Sequence, residues 1–532
     1  MRDDRSMMSS SVPPASGIRR AEGGRVVIFA VAGLASAFFG IAIGHLVASW
    51  GNPAFAPISV VASSAIDLPP AVVKEWAVQT FGTATKSVVV VVVAAFVSLL
   101  AVVAGICSRT RLWLGVVILV GMSVIGVIAA IARPDDGLGA TIPALVAGVA
   151  APVALIALVH LARGGVATRE ATDPLIASQP VNRRAVLLGT LGFAGLGAVA
   201  LAGSTASNTR VSIATPSASS AATSPSAPVV PAGALAPIVG LPPFITPNDA
   251  FYRIDTAVVV PQVAADRWTL DFGGMVRNPF TLTYDELMRQ PMIDRDVTIM
   301  CVSNPVGGEY IGTARWTGTP LMPLLEQAGV DAGAEQLFST SIDGWTCSTP
   351  LDGLARREPL LVVAMNGEPL PIDHGYPVRM IVPGLYGFIS ATKWITSIEA
   401  ATYADMPAYW TVRGWATDAP VLTGSVIKVP NSGVLSAGPT NLGGVAWAMD
   451  GNGVSQVEVQ IDDGPWQPAK LADAVNPVTW RQWWLPWQAT PGVHVLRVRA
   501  TNGRGEVQTG AERDVIPAGA TGWHTVAVEV AA

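Results

Sequence analysis

Residues 296–320 read DVTIMCVSNPVGGEYIGTARWTGTP, and this stretch decides how the second half of the chain folds. An apolar run ends at Met300, Cys301 follows it directly, and a loop rich in Gly and polar residues comes next. The run is typical of a buried β-strand, so it predicts that Cys301 lies where a strand meets a loop. A lone cysteine in such a place is most simply a small buried hydrophobic residue. A ligand role for Cys301 therefore needs support from the rest of the sequence.

The composition is uneven along the 532 residues. The mean hydropathy is +0.45 and only 13% of residues are charged, unlike an ordinary soluble protein. The apolar residues are concentrated before residue 204. The net charge of −5 and the lack of a long basic tract argue against a nucleic-acid partner. Three cysteines cannot build a disulfide framework, and Cys107, at the end of an apolar segment, is most simply a packing residue.

Five apolar segments in the first half are predicted to cross a membrane, since each approaches the roughly 20 apolar residues that a spanning helix needs. They cover residues 26–48, 87–107, 112–132, 142–161 and 185–203. Most arginines of this first half lie in the N-terminal tail, residues 1–25, and in the second and fourth connections. This bias predicts a cytoplasmic N-terminus. Five crossings then place everything after residue 203 outside the cytoplasm.

Two features connect the membrane half to the outer half. Arg183 and Arg184 stand directly before the glycine-rich fifth segment and resemble a twin-arginine export signal, which serves proteins that fold before translocation. Two arginines that only fix the membrane orientation are the simpler alternative. Residues 204–240 are mostly Ser, Ala, Thr and Pro, which predicts a flexible tether.

The outer half is predicted to contain two domains. Over residues 241–415, β-rich runs such as LVVAM (361–365) alternate with helical patterns, LTYDELMRQ (282–290) and GTPLMPLLEQAG (318–329). This alternation indicates an α+β domain. Over residues 416–532, apolar and polar residues alternate between Gly-Asn and Asp-Gly turns, which is typical of an immunoglobulin-like β-sandwich. The predicted fold is therefore multi-domain, with five transmembrane helices, an α+β domain and a β-sandwich.

Several blocks of the outer half occur in an order that resembles the sulfite oxidase superfamily of molybdopterin enzymes. They are ITPNDAFYRIDTA (245–257), CVSNPVGGEYIGTARWTGTPL (301–321), SIDGWTCSTP (341–350), MNGEPLPIDHGYPVRMIVPGLYGFISATKW (365–394) and GATGWHTVAVEV (519–530). The order is similar to that of membrane-anchored bacterial members whose molybdopterin domain precedes an Ig-like dimerisation domain. The resemblance implies a molybdenum–molybdopterin cofactor and an oxidoreductase activity. No haem is expected, because His45 falls near the outer end of the first segment and His160 near the inner end of the fourth, so they cannot share one iron.

The resemblance also implies the site residues. It makes Cys301 the only protein ligand of molybdenum, and a thiolate is the soft donor that suits a metal already held by two dithiolene sulfurs. Cations and hydrogen-bond donors are expected around the pterin and its phosphate. The matching positions are Asn248, Phe251, Tyr252, Ser341, His374, Arg379, Ser390, Thr392 and Lys393.

Departures from the sulfite-oxidising members concern the substrate. Pro305 and Val363 stand where those members carry an arginine and a tyrosine, and FYRIDT (251–256) shifts Arg253 by one position and lacks their histidine. Arg315 remains as the main candidate to steer the substrate. A doubly charged sulfite needs several converging cations, so oxygen-atom transfer with a sulfoxide-like or N-oxide-like substrate is predicted. The alternatives are a sulfite oxidase or dehydrogenase, and an inactive membrane-anchored binding protein.

The predicted partners follow from the same resemblance. They are a small-molecule substrate, the membrane, and an electron-transfer partner, either a quinol or an extracytoplasmic carrier. The tryptophans of TWRQWWLPW (479–487) are most simply packing residues of the sandwich. A homodimer interface through the C-terminal domain is the alternative, because aromatic residues are enriched at interfaces.

Overall fold

The computed structural model describes residues 15–50, 53–69, 73, 76–77, 80–81, 85–132, 138–163, 183–208, 229–430 and 434–531. These residues form two compact units, one of apolar helices and one that contains all the described strands. Residues 1–14 of the predicted tail and residues 209–228 of the predicted tether lie outside the described ranges.

The first unit consists of apolar helices. They are α1 (Ala15–Ser49), α2 (Pro57–Asp67), α3 (Thr85–Ser108), α4 (Leu112–Ile131), α5 (Ile142–Ala162) and α6 (Arg183–Asn208). Among the described residues, five helices are long and apolar enough to cross a membrane, over Val26–Ser49, Thr85–Ser108, Leu112–Ile131, Gly139–Ala162 and Arg184–Ser204. The five helices predicted from the sequence are therefore confirmed. The sequence analysis missed α2, whose 11 residues are too few to span a bilayer.

Glycines let the helices of this unit approach closely. Gly33 of α1 faces Gly105 of α3, and a Cβ on either residue would overlap the backbone of the other helix. Gly40 of α1 faces α5, where an added Cβ would lie 2.6 Å from the Cβ of Ala151. Close backbone contact through small residues is a common way for helices to associate in lipid. α1 therefore packs against both α3 and α5.

The second unit begins with ten strands and three short helices. The strands are β1 (Thr269–Gly274), β2 (Phe280–Thr283), β3 (Ile293–Met300), β4 (Ile311–Pro320), β5 (Gln336–Ser341), β6 (Thr346–Pro350), β7 (Leu360–Met365), β8 (Glu368–Pro369), β9 (Arg379–Ile381) and β10 (Ile395–Ala401). The helices are α7 (Tyr284–Met288), α8 (Met322–Ala328) and α9 (Leu354–Arg357). One sheet has the order β2-β1-β10-β5-β6. The other, called the β4 sheet, has the order β3-β4-β7-β8, with β9 also paired to β7.

The predicted elements of this region have identifiable local causes. α7 starts with a capping box, in which Thr283 accepts from the backbone N–H of Glu286 while the Glu286 side chain accepts from the backbone N–H of Thr283. α8 ends at Gly329, whose φ of +66° suits a residue without a side chain. Helices are thus confirmed within residues 282–290 and 318–329. The strand predicted over 361–365 is confirmed as β7.

Nine further strands form two more sheets. They are β11 (Gly424–Val429), β12 (Val434–Ser436), β13 (Gly438–Trp447), β14 (Val454–Ile461), β15 (Gln467–Pro468), β16 (Lys470–Leu471), β17 (Arg481–Ala489), β18 (Gly492–Asn502) and β19 (His524–Ala531). The orders are β11-β13-β17-β16 and β12-β19-β18-β14-β15. Buried side chains from both sheets form one hydrophobic cluster, with Leu442 and Trp483 from the first and Val457 and Leu496 from the second. The immunoglobulin-like class stays a prediction.

The two parts of the second unit also share a core. One hydrophobic cluster contains Leu270 and Met300 from the first part, and Trp447 and Trp480 from the second. Trp480 donates from its backbone N–H to Thr298 Oγ1, 2.7 Å away, and from its indole N–H to the carbonyl of Phe244, 2.9 Å away. The boundary predicted at residues 415 and 416 therefore separates two sets of strands but crosses a continuous core.

The tether predicted to run to residue 240 is too long at its C-terminal end. The backbone N–H of Ala236 donates to Gln482 Oε1, 2.8 Å away, and Gly233 accepts from the backbone N–H of Asp473 at 2.6 Å. Ala234 is buried. The segment around these residues packs against the C-terminal sheets, a contact that its Pro-rich and Ala-rich composition does not reveal.

Candidate functional site

Cys301 lies where β3 ends and a loop turns back into β4. The two strands are antiparallel, with Met300 opposite Ile311. The backbone N–H of Cys301 donates to the carbonyl of Tyr310, 3.0 Å away, and Asn304 Oδ1 accepts from the backbone N–H of Tyr310 at 2.8 Å. These bonds close the loop at its base. Cys301 is half-buried, and the hydrogen bonds around it fix the position of its backbone.

Two tyrosines, the buried Tyr386 and the half-buried Tyr252, lie within electrostatic range of Cys301. Burial and, to a smaller extent, the negative charge of a Cys301 thiolate raise the pKa of Tyr386 to about 12. The same two causes raise the pKa of Tyr252 well above its usual value. Both side chains therefore keep their hydroxyl protons near neutral pH. Tyr252 was predicted as a cofactor contact, whereas Tyr386 was missed, although it stands inside the block VPGLYGFISATKW (382–394).

Phe251 organises an aromatic wall of the site. Its ring stacks on Tyr252 with centroids 5.3 Å apart, and it meets both His374 and Trp316 edge to face at 5.6 Å. On β4, a Cβ at Gly312 would lie 2.8 Å from the Phe251 ring, so the ring needs a residue without a side chain there. The structure therefore brings together Phe251, Tyr252 and His374, three of the predicted cofactor contacts.

Asn248 and His374 are joined by a hydrogen bond. His374 Nε2 donates to the backbone carbonyl of Asn248, 3.1 Å away, so Nε2 carries the ring proton and Nδ1 is an acceptor. Burial and then the charge of Arg379 lower the pKa of His374 to about 4. The carboxamide of Asn248 contacts Asn366 and Glu368. His374 is thus a neutral residue of the site at physiological pH.

Buried cations gather beside this wall. Asp255 accepts from Lys393 Nζ at 2.6 Å and from Arg253 Nε at 2.8 Å. Arg379 lies 5.1 Å from the centroid of the Trp316 ring, and its Nη1 donates to the carbonyl of His374 at 3.1 Å. Burial lowers the pKa of Lys393 to about 8 and that of Arg379 to about 10.

The cation cluster has the properties of an anion site. Arg379 is 4% exposed, its Nε has no hydrogen-bond partner, and no carboxylate contacts it among residues 229–430 and 434–531. The buried hydroxyl of Ser341 also lacks a hydrogen-bond partner in this part of the chain. Buried polar groups of this kind are costly unless a ligand satisfies them. A phosphate supplies charge-assisted acceptors, so the residues present fit the phosphate end of a pyranopterin.

Tyr252 connects the two halves of the site. Its pKa responds both to Cys301 and to Arg379, so its hydroxyl lies within electrostatic range of the predicted metal ligand and of the cation cluster. A pyranopterin has its dithiolene sulfurs at one end and its phosphate at the other. The chemistry of the residues present fits such a molecule, with a thiol for the sulfur end and a guanidinium for the phosphate end.

Other predicted contacts have hydroxyl groups that are engaged within the protein. Ser390 Oγ donates to the carbonyls of Leu385 and Tyr386, and Thr392 Oγ1 shares a hydrogen bond of 2.7 Å with Ser339 Oγ. These two residues shape the loop that carries Lys393. Cys347 is fully buried, and burial raises the pKa of its thiol, which suits a packing residue.

The structure does not favour the substrate-steering role predicted for Arg315. Arg315 forms a bidentate ion pair with Asp296, opposite it on β3, with distances of 2.8 and 2.9 Å. Side chains alternate between the two faces of a strand. Gly312 and Trp316 point to the face that carries Phe251 and Arg379, so Arg315 points to the opposite face. The ARW sequence does not tell which of its two large side chains faces the site.

Comparisons with known proteins agree with this geometry. A family model described as "Oxidoreductase molybdopterin binding domain" matches residues 257–410. The chain is 31% identical over 297 residues to the mitochondrial sulfite oxidase of Homo sapiens, covering 46% of this chain and 52% of that protein. It is 30% identical over 175 residues to the uncharacterized oxidoreductase YuiH of Bacillus subtilis (strain 168), covering 33% of this chain and 85% of that protein. The chain thus spans about half the length of the sulfite oxidases that it matches.

A solved structure is also similar to this chain. The sulfane dehydrogenase SoxCD from Paracoccus pantotrophus has 23% sequence identity and a TM-score of 0.48. The match covers 54% of this chain and 81% of that chain.

Proposed function

The chain belongs to the sulfite oxidase-type family of molybdopterin oxidoreductases, and we propose that it transfers an oxygen atom at a molybdenum centre held by Cys301. The proposal rests on the surroundings of Arg379. The Nε of its buried guanidinium has no hydrogen-bond partner among the described residues. Arg379 and Cys301 both lie within electrostatic range of Tyr252. A buried cation without a carboxylate favours a bound anion. A half-buried thiol at the other end of the same site favours a soft metal.

The chain's own residues have separate tasks in this proposal. When bound, the molybdenum cofactor supplies the two-electron chemistry of oxygen-atom transfer. Cys301 holds the metal as a thiolate, while Arg379 and Lys393 bind the phosphate with their donors. Phe251 covers the pterin and excludes water. His374, neutral because of its lowered pKa, offers Nδ1 as an acceptor for the N–H groups of the pterin.

Tyr252 and Tyr386 hold protons beside the metal position. Because their pKa values are raised, each hydroxyl donates a hydrogen bond rather than carrying a charge. Such donors suit the oxygen atom of a neutral substrate, which accepts hydrogen bonds but does not need a full counter-charge. Because they stay neutral, they add no negative charge beside the Cys301 thiolate.

We favour a sulfoxide or N-oxide over sulfite as the substrate. Arg315 is paired with Asp296, so its charge is compensated within the protein. Val363 is buried among apolar residues at the position where the sulfite-oxidising members carry a tyrosine, and Pro305 supplies no cation. A dianion needs more positive charge than these residues offer. The second candidate, sulfite oxidation, is supported by the activity in the name of the human relative.

The decisive experiment compares kcat/KM for the two substrate classes on the full chain, purified in detergent and loaded with molybdenum cofactor. Sulfoxides and N-oxides are offered with a reduced viologen or a quinol, and sulfite with an oxidised acceptor. We expect sulfite turnover to be lower by about two orders of magnitude, since each charge-assisted contact missing from a buried site costs about 2–5 kcal/mol. Efficient sulfite oxidation would contradict the substrate choice. Purification without molybdenum under cofactor-producing conditions would favour an inactive binding protein.

We also propose that the five apolar helices anchor the enzyme in a membrane, with the N-terminus in the cytoplasm and the catalytic part outside. The C-terminal sheets are proposed to be an immunoglobulin-like domain that supports a homodimer. A reporter that is active only after export, fused behind Ala532, is expected to be active. Replacing Arg183 and Arg184 with lysine blocks export if the pair is a twin-arginine signal. Normal export of that variant would leave the two residues as orientation determinants.

A further inference from the structure

The loop that follows Cys301 is contacted by the last strand of the chain. The ring of His524, the first residue of β19, packs directly on the backbone of Gly307. A Cβ at Gly307 would overlap the His524 ring, and its φ of +82° also requires glycine. Next to this contact, a Cβ at Gly522 would lie 3.7 Å from the side chain of Val306. The loop thus rests on a residue that lies 223 positions from Cys301 in the sequence.

The orientation of the His524 ring is fixed by a backbone donor. The N–H of Ile427 on β11 donates to His524 Nδ1, 3.1 Å away, so Nδ1 is the unprotonated nitrogen and Nε2 carries the proton. The edge formed by Cδ2 and Nε2 therefore faces Gly307. A second contact from β11 reaches the loop, because Lys428 Nζ lies 4.0 Å from Glu309 Oε1.

The same C-terminal segment contacts the other flank of Cys301. A Cβ at Gly519 would overlap the hydroxyl of Tyr386, so the two residues are in direct contact. Tyr386 in turn lies close enough to Cys301 for the thiolate to influence its pKa. Residues 519–524 therefore touch both the loop that carries Cys301 and a tyrosine beside it.

We propose that His524 is a positioning residue for the Cys301 loop, through which the C-terminal sheets fix the position of the thiol. The ring acts on Gly307 and does not itself contact the metal position. The inference rests on the proposed function only in that Cys301 binds the metal. It assigns to the C-terminal sheets a role within the active site, in addition to any role in forming a dimer.

The variant that isolates this role is His524→Asn. The Asn side chain keeps an acceptor for the Ile427 N–H, and therefore the bond within the C-terminal sheets, but it lacks the ring edge that touches Gly307. Hydrogen exchange is measured on the full chain in detergent, for peptides that cover residues 301–310 and for peptides of β11 and β19. We expect exchange in the loop to be about fivefold faster or more, as for the loss of one buried contact, with β11 and β19 unchanged.

His494→Asn is the matched control, because His494 lies in the same sheets and its hydrogen bonds go to Thr490 and Asp462. It should leave the exchange of the loop unchanged. In the holoprotein poised in its one-electron-reduced Mo(V) state, His524→Asn should also shift the electron paramagnetic resonance spectrum of the metal, whereas His494→Asn should not. A purely structural role of His524 would instead speed exchange in β11 and β19 together with the loop.

A second variant tests the same contact from the other side. Gly307→Ala leaves the C-terminal sheets untouched but forces the loop away from the ring, so it should also speed loop exchange. Unchanged loop exchange in both variants, with the protein folded, would overturn the inference. The result is separable from the proposed function, since near-normal turnover of a Cys301→Ser variant would refute the ligand role without affecting the loop measurements.

Discussion

Arg379 and Arg315 lie in one sheet, on strands at either side of β7, yet their surroundings differ in kind. Arg315 is held by both oxygens of Asp296, whereas Arg379 packs on Trp316 and has an Nε without a partner among the described residues. An arginine whose charge is compensated within the fold is a structural element. A buried arginine that lacks such compensation indicates a ligand. We therefore propose that the face of β4 that carries Trp316 is the binding face, and that the face that carries Arg315 is a structural one.

The largest effect on turnover is expected from replacing Cys301, the proposed metal ligand. Cys301→Ser replaces a soft sulfur with a hard oxygen, so turnover should fall about a thousandfold or more, a change of roughly 4 kcal/mol in the barrier. The measurement is kcat of the cofactor-loaded full chain. Cys347→Ser is the control, and its turnover should stay within about twofold, because the Cys347 thiol is fully buried and contacts Thr349 Oγ1, 3.8 Å away, within the protein. Near-normal turnover of Cys301→Ser would remove the ligand assignment.

Arg379→Met should release the cofactor. The substitution keeps much of the side-chain volume but removes the buried charge that is proposed to bind the phosphate. Loss of a buried charge-assisted contact costs about 2–5 kcal/mol, which weakens cofactor binding by about 30-fold or more. Molybdenum and pterin per mole of protein are measured after purification. Arg315→Met, matched in chemistry but on the other face of β4, should keep its cofactor. Equal losses in both variants would erase the distinction between the faces.

The sequence revealed most of this fold wherever the signal was local. Uninterrupted apolar runs predicted the five spanning helices closely, and α8 was predicted together with its end at Gly329. Cys301 stood out because a strand pattern ended just before it. Five of the predicted cofactor contacts, Asn248, Phe251, Tyr252, His374 and Arg379, come together around the aromatic wall.

What the sequence could not reveal depends on pairing between distant segments. Whether Arg315 or Trp316 faces the site depends on the register of β3 and β4, which also places Asp296 opposite Arg315. Tyr386 becomes a site residue only because its loop folds back beside Cys301. His524 reaches the loop because β19 and β11 lie together, although His524 and Ile427 are 97 positions apart in the sequence. None of these contacts leaves a periodic pattern in the chain.

The pH dependence of stability should show whether His374, in the proposed site, is neutral in the folded protein. Burial lowers the pKa of His374 to about 4, so between pH 6.5 and pH 4 the unfolded chain binds a proton that the folded chain does not. The contribution of neutral His374 to the free energy of unfolding is therefore fully present above pH 6.5. It decreases as the pH falls, by about 2 kcal/mol at pH 5. Unfolding of cofactor-free protein is compared with that of His374→Gln between pH 7 and pH 5. The variant should lose less stability on acidification, and identical pH profiles would contradict the buried neutral state of His374.

The smallest effect is expected from replacing Arg315, on the other face of β4. This variant tests whether Arg315 stabilises the fold or contacts the substrate. Arg315→Met leaves Asp296, 8% exposed, without its partner, which should lower the free energy of unfolding by about 1–2 kcal/mol, between the values for surface and buried ion pairs. Adding Asp296→Leu removes the uncompensated carboxylate and should restore part of that loss, so the two changes are not additive. Throughout, kcat/KM on the best substrate should stay within about twofold, because neither side chain faces the binding side. A selective fall in kcat/KM, with stability unchanged, would instead place Arg315 in contact with the substrate.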